Sequence, residues 1–220
     1  MKNYLNFEND IKELELELEK LKDPYNKEGL SEVDTNKIST IQSEIDSKLN
    51  EIYSNLDSWQ IALVARHEER PKSKFFIENL FDDFIPLSGD RFYGEDKSVL
   101  TGFAKFNGSS VLVIGQEKGE DLESRIERNF GMMRPEGYRK TTRLMKLADK
   151  FNIPIIIFID TSGAYPGLGA EERGQAEAIA KSIECCMELK VPTISIIIGE
   201  GGSGGAIALA SSNKVLMLEN

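Results

Sequence analysis

Two near-continuous apolar runs constrain this chain more than any other feature: IPIIIFID at residues 153–160 and VPTISIIIG at residues 191–199. A strand with one face in water alternates apolar and polar residues, whereas a strand buried on both faces reads as a continuous run. Segments of helical period lie around them, at residues 137–151 and 170–189, followed by a short small-residue helix at 204–212 and a third strand at 214–218. This alternation predicts a parallel sheet covered on both faces, joined by right-handed crossovers. In such sheets ligands sit beyond the carboxyl ends of the strands. Both runs end there in glycine-rich loops, residues 161–169 (TSGAYPGLG) and residues 199–205 (GEGGSGG).

The rest of the chain frames this α/β part. Residues 99–106 and 110–116 flank Asn107-Gly108, the strongest short-range hairpin signal. Residues 1–57 carry two heptad-like seams, Ile11, Leu14, Leu18, Leu21 and then Ile38, Ile41, Ile45, Leu49, Ile52, Leu56. They predict an antiparallel helical hairpin, stopped at Asp23-Pro24 and joined by a polar, Gly-containing linker. The expected division is a helical arm over 1–57, structural and not catalytic, and a functional domain over 58–220. Between them, residues 59–66 and 75–81 read as short helices. His67, set among charges, is a solvated or capping residue in this reading.

Composition removes several functions. At 220 residues there is room for one substantial core and an appendage. With 27 Lys+Arg against 37 Asp+Glu, no broad nucleic-acid surface is expected. Two adjacent cysteines, Cys185 and Cys186, exclude a secreted disulfide scaffold and favour a reducing compartment. The N-terminus has no apolar leader region and the longest apolar run is too short for a bilayer, so a cytoplasmic protein with no membrane contact is expected. One histidine and two consecutive cysteines do not readily make a zinc site, so no metal is expected in this chain. The basic stretch at 118–146 (Arg125, Arg128, Arg134, Arg139, Lys140, Arg143, Lys146) reads first as a solvated surface.

The second loop admits three readings. Gly199, Gly201 and Gly204 make a G-x-G-x-x-G dinucleotide fingerprint with Glu219 after the next strand, which would mean an NAD-binding dehydrogenase; the following helix is short for that unit. Gly201, Ser203 and Gly205 make the G-x-S-x-G spacing of a nucleophile elbow, which would need a base from elsewhere. In the third reading the glycines let backbone approach a ligand. The N–H groups of Gly204 and Gly205, at a helix N-terminus, would then hold a developing oxyanion, with Gly163–Tyr165 as the opposite wall. Two such loops at adjacent strand ends point to a thioester or urea-type carbonyl.

These residues resemble a specific family. FIDTSGAYPGLGAEERGQAEAIA (158–180), GEGGSGGA (199–206), RNFGM (128–132), PEGYRK (135–140), GDR (89–91) and WQIA (59–62) are similar to the carboxyltransferase α subunit of bacterial acetyl-CoA carboxylase. The resemblance runs over essentially the whole chain. It implies a ClpP/crotonase-like α/β fold of repeated ββα units and a biotin-dependent acetyl-CoA carboxyltransferase, a heterotetramer of two α and two β subunits. Carboxybiotin, carried on the biotin carboxyl carrier protein and charged by biotin carboxylase, would give its carboxyl group to acetyl-CoA, making malonyl-CoA for fatty acid synthesis. The implied roles are Gly204 and Gly205 as catalytic oxyanion donors and Gly163, Ala164, Tyr165, Gly202 and Ala206 as the carboxybiotin pocket. Any zinc ribbon would belong to the β subunit, and the basic stretch would face CoA phosphates or the carrier if it is not simply solvated. A non-catalytic crotonase-like assembly subunit is the remaining alternative. Ser162 stands where the family usually has proline. The family pattern continues past Asn220 with an S-P-E-G segment, so part of the pocket is expected to lie outside these residues.

Overall fold

The computed structural model describes residues 2–23 and 35–219. They divide into two compact units, Met1–His67 and Glu68–Asn220. The division falls ten residues beyond the expected one, because the helix after residue 57 counts with the first unit.

In the first unit α1 (Asn9–Lys22) and α2 (Thr35–Ser54) pack through the seams read from the sequence. Ile11, Leu18, Ile41 and Ile45 are buried, flanked by Leu14, Leu21, Ile38, Leu49 and Ile52; Leu56 lies past the end of α2. Cross-links run Tyr53–Glu8, Lys48–Asp10 and Lys37–Glu17. Positions fall along α2 as they rise along α1, so the helices are antiparallel. Asp23 is already extended where α1 stops; Pro24 and the expected linker lie outside the described residues. Asp57 caps α3 (Ser58–Ala65) by accepting the Trp59 and Gln60 N–H groups, and the Gln60 side chain accepts the Asp57 N–H in return.

The second unit is built on one six-stranded sheet. In chain order it contains α4 (Ser73–Leu80), β1 (Asp82–Pro86), β2 (Val99–Phe106), β3 (Ser109–Gln116), α5 (Leu122–Glu127), α6 (Pro135–Lys150) and β4 (Ile155–Thr161). Then follow α7 (Leu168–Glu172), α8 (Gln175–Glu188), β5 (Thr193–Gly201), α9 (Ser203–Ala210) and β6 (Lys214–Met217). Strand order is β1 to β6 in sequence. The sheet is mixed: β1, β2 and β3 run antiparallel, and β3 through β6 run parallel. The β2–β3 turn places Asn107 and Gly108 at φ 49° and 79°, the two left-handed residues a tight hairpin needs.

Strand period sorts the core. Leu112, Ile114, Ile155, Ile157 and Ile159 meet α6, α8 and α9 through Leu144, Met145, Ala178, Cys186, Ala208 and Leu209. The alternate residues Val111, Val113, Phe158 and Ile198 meet Ile77 and Phe81, with Phe76 stacked on Phe158 at 5.5 Å. Each such side chain contributes roughly 1.5–3 kcal/mol by leaving water. Cys186 behaves as a small core residue, its thiol pushed up to about 12 by burial.

Two expectations change. The edge strand β1 was not foreseen; it is short, mostly exposed and irregular in register. The helix expected over 170–189 is two helices, broken where Gly174 adopts φ 81°.

Candidate functional site

Because β3, β4 and β5 run parallel, Gln116, Thr161 and Gly201 all finish at one end of the sheet. There loop one (161–169) and loop two (199–205) meet backbone to backbone. The Gly202 N–H donates to the Thr161 carbonyl at 2.8 Å, and a Cβ on Gly202 would fall inside the Ser162 peptide. A Cβ on Gly205 would lie 2.5 Å from the Gly163 carbonyl carbon and 2.7 Å from the Ala164 nitrogen. Glycine at 202 and 205 is therefore what lets the two loops touch. Gly204 is different: its nearest neighbours would be Ile179 side-chain atoms at 3.8 and 3.9 Å, ordinary contact.

Helix α9 starts inside loop two. Its first internal bond runs from the Ala206 N–H to the Gly202 carbonyl at 3.0 Å, so Ser203, Gly204 and Gly205 have no intrahelical acceptor for their N–H groups. The aligned dipoles of the helix favour negative charge at this end. Gly205 and Ala206 are buried, and Gly202 and Gly204 are half-buried. In loop one the Thr161 hydroxyl donates to the Gly163 carbonyl at 2.8 Å. The Tyr165 N–H donates to the Met133 carbonyl at 3.0 Å. The Tyr165 ring lies against Gly167, where no side chain would fit, and the Arg134 guanidinium stacks on it 4.6 Å from the centroid. The structure thus brings together Gly163, Ala164 and Gly205, with Gly202 against Ser162, Tyr165 in loop one and Ala206 in α9 just past loop two.

Two buried glutamines hold these loops, and sequence reasoning passed over both. Gln116, fully buried at the end of β3, donates from Nε2 to the Gly205 carbonyl at 3.0 Å and accepts the Asp160 N–H at 3.2 Å. Gln175 donates to the Met133 and Tyr165 carbonyls at 2.9 and 3.0 Å. For Gln116 the available signal was a polar residue closing an apolar strand, VLVIGQ; Gln175 opens α8 and carried no such signal.

The other readings of loop two lose ground here. Ser203 does adopt φ 51°, a left-handed conformation for a non-glycine residue. Yet His67, the one histidine of the sequence, has its Nε2 2.8 Å from the Asn3 carbonyl. Helix α9 has eight residues, too short for a dinucleotide unit, as the sequence indicated.

The basic stretch is not simply a solvated surface. Lys140 is 1% exposed, donating from Nζ to the Asp96 and Val99 carbonyls at 2.8 Å and pairing with Glu95. Burial pushes its pKa down while Glu95 resists. Arg139 pairs with Asp90 at 2.8 Å and Glu136 at 3.0 Å, and Arg173 joins Glu136 at 2.7 Å. Burial would raise the Asp90 carboxyl, but the Tyr93, Phe92 and Gly94 N–H groups and Arg139 outweigh it and hold it at about 2. Asp90 and Glu95 lie 49 and 45 residues from their partners and Arg173 lies 37 from Glu136, so a local charge count sees only the Arg139–Glu136 pair, three residues apart. Among the described residues no group of three His, Cys, Asp or Glu is placed to hold a metal, and no helix is long and apolar enough to cross a membrane.

Residues 4–220 match the model of the acetyl co-enzyme A carboxylase carboxyltransferase-like family. The chain belongs to that family. It is 83% identical over 220 residues to the acetyl-coenzyme A carboxylase carboxyl transferase subunit alpha of Pelagibacter ubique strain HTCC1062, covering all of this chain and 60% of that relative. To the subunit of the same name from Chelativorans sp. strain BNC1 it is 54% identical over 223 residues, covering all of this chain and 69% of the relative. The chain therefore spans about three fifths to two thirds of the length of these family members. Among solved structures, transcarboxylase 12S superposes with a TM-score of 0.57 at 22% identity, over 68% of this chain and 28% of that one. A single-chain, multi-domain long-chain acyl-CoA carboxylase gives 0.55 at 22% identity, over 68% and 15%. These likenesses bear out the crotonase-like α/β fold class.

Proposed function

We propose that this chain is part of a carboxyltransferase α subunit. Assembled with a β subunit, it moves a carboxyl group from biotin on a biotin carboxyl carrier protein, charged by biotin carboxylase, to acetyl-CoA, giving malonyl-CoA. The observation that carries this reading is the backbone-to-backbone closure of the two loops around the start of α9, in a member of a carboxyltransferase family. Carboxybiotin supplies the transferable carboxyl group. The Gly204 and Gly205 N–H groups stabilise negative charge on its ureido oxygen, which side chains would only obstruct. Gly163, Ala164, Tyr165, Gly202 and Ala206 shape the space around it. No acid–base side chain of this chain is required for that role. The helical arm supports assembly and does no chemistry; the enzyme works in the cytoplasm as two α and two β subunits.

The test uses the full-length protein assembled with its β subunit, supplied with malonyl-CoA and free biotin. Carboxyl transfer to biotin with release of acetyl-CoA is expected. Titration with NADH, followed by cofactor fluorescence, should give no saturable binding. Saturable binding without carboxyl transfer would restore the dehydrogenase reading of Gly199, Gly201 and Gly204.

A further inference from the structure

A third strand end reaches the roots of both loops. Just past β3, Lys118 Nζ lies 2.6 Å from Asp160 Oδ1 and 2.8 Å from Glu200 Oε2. Asp160 immediately precedes loop one, and Glu200 is the second residue of loop two. Asp160 Oδ1 also accepts the Glu200 N–H at 3.0 Å. The three side chains are 16%, 5% and 17% exposed, so water screens them poorly. Glycine backbone walls them in. A Cβ on Gly199 would lie 2.5 Å from Asp160 Oδ1, and one on Gly131 would lie 2.8 Å from Lys118 Cγ and 2.9 Å from the Asp160 carbonyl oxygen.

Two carboxylates at the ends of neighbouring strands repel each other. An ammonium between them reverses the sign on both sides, and Arg70, which donates to the Ile198 carbonyl, adds a second cation acting on Asp160. The strand ladder leaves part of this job open. The β4–β5 register shifts between Ile159 and Thr161, at the very residue Lys118 grips, before pairing resumes at Thr161 and Gly201. Across that shift the ion trio joins the two strand ends, beside the Gly202–Thr161 hydrogen bond.

We infer that Lys118 is a positioning residue. Its ammonium sets the spacing of the two loops, and with it the direction of the Gly204 and Gly205 N–H groups. It acts through Asp160 and Glu200 and touches no reacting atom. For turnover the inference rests on the carboxyl-transfer reading; for loop order it does not.

Two readouts on the full-length protein assembled with β keep those apart. In carboxyl transfer from malonyl-CoA to biotin, Lys118→Met should lower kcat by about 100-fold, the scale of a misplacement near 1 Å. KM for malonyl-CoA should stay within about threefold, because ground-state binding is elsewhere. Lys118→Arg should recover most of the loss. Glu200→Gln, which keeps the shape, should lose roughly tenfold and decides the matter if Lys118→Met does not assemble. In amide hydrogen exchange, Lys118→Met should speed exchange in residues 199–206 and leave the α6 amides unchanged, with Lys118→Arg close to the parent. Parental kcat and parental exchange in Lys118→Met overturn the inference, as do equal defects in Lys118→Met and Lys118→Arg. A parent that transfers no carboxyl group, with exchange changed as expected, overturns the carboxyl-transfer reading and leaves Lys118 as the device that spaces the loops.

Discussion

The helical hairpin and the loop pair are held together in opposite ways. In the hairpin, nine apolar side chains from two helices share one seam, and four of them are buried. Removing a methyl group there leaves eight neighbours in place, and helical side chains can shift to fill the gap. The loop pair has no such redundancy. Gly202 against Ser162 and Gly205 against Gly163–Ala164 are single contacts between backbones, and each relies on a missing Cβ. Repetition makes the first region tolerant, and close approach makes the second brittle.

The largest expected effect breaks the brittle region. Gly205→Ala sets a methyl group 2.5 Å from the Gly163 carbonyl carbon, a distance real Cβ atoms do not adopt. One loop must move, at a cost of about 3 kcal/mol or more. Thermal unfolding should drop and carboxyl transfer should fall below detection. A variant that melts with the parent and turns over within about tenfold of it would mean that neither the close packing nor the oxyanion role is right.

Next comes the tolerant region. Ile45, 2% exposed in the hairpin seam, should accept valine for about 1 kcal/mol, read by denaturant unfolding. Turnover should not change. A loss several times larger would mean that the seam is as exacting as the loops, and the contrast would collapse.

The smallest effect is the most discriminating, since it lies one residue from the largest. Gly204 has only ordinary contact with Ile179 on its Cβ side and sits in the first turn of α9. Gly204→Ala keeps the N–H and removes backbone freedom from the unfolded chain, so a gain of about 0.5 kcal/mol is expected in thermal unfolding. A melting temperature lowered as far as in Gly205→Ala would show that the two glycines answer to the same constraint.

The loops, the hairpin turn, the two seams and most strands were legible in the residues, because each depends on local chemistry. Asn107-Gly108 needs only its own two φ angles, and the Ile11–Leu18 and Ile41–Ile45 spacing needs only a helical turn. Edge strand β1 was not legible: DDFIP is too short and too polar to show a period. The break at Gly174 was hidden because glycine inside a helical pattern is often tolerated. At the site, the sequence drew attention to glycines but could not separate Gly204 from Gly205.

The sequence by itself determined that residues 153–160 and 191–199 would be buried strands, that their ends would be backbone-rich, and that the chain would look like a carboxyltransferase. These follow from side-chain polarity, from glycine's missing Cβ and from a long specific motif. Only the tertiary structure decided which glycine is pressed against which peptide. It alone showed that Gln116 carries the Gly205 carbonyl, and that Lys118 joins Asp160 to a carboxylate 40 residues further along. Those pairings arise from parallel strands aligned by their hydrogen bonds, which place residues far apart in the chain within 3 Å, a proximity that no local pattern encodes.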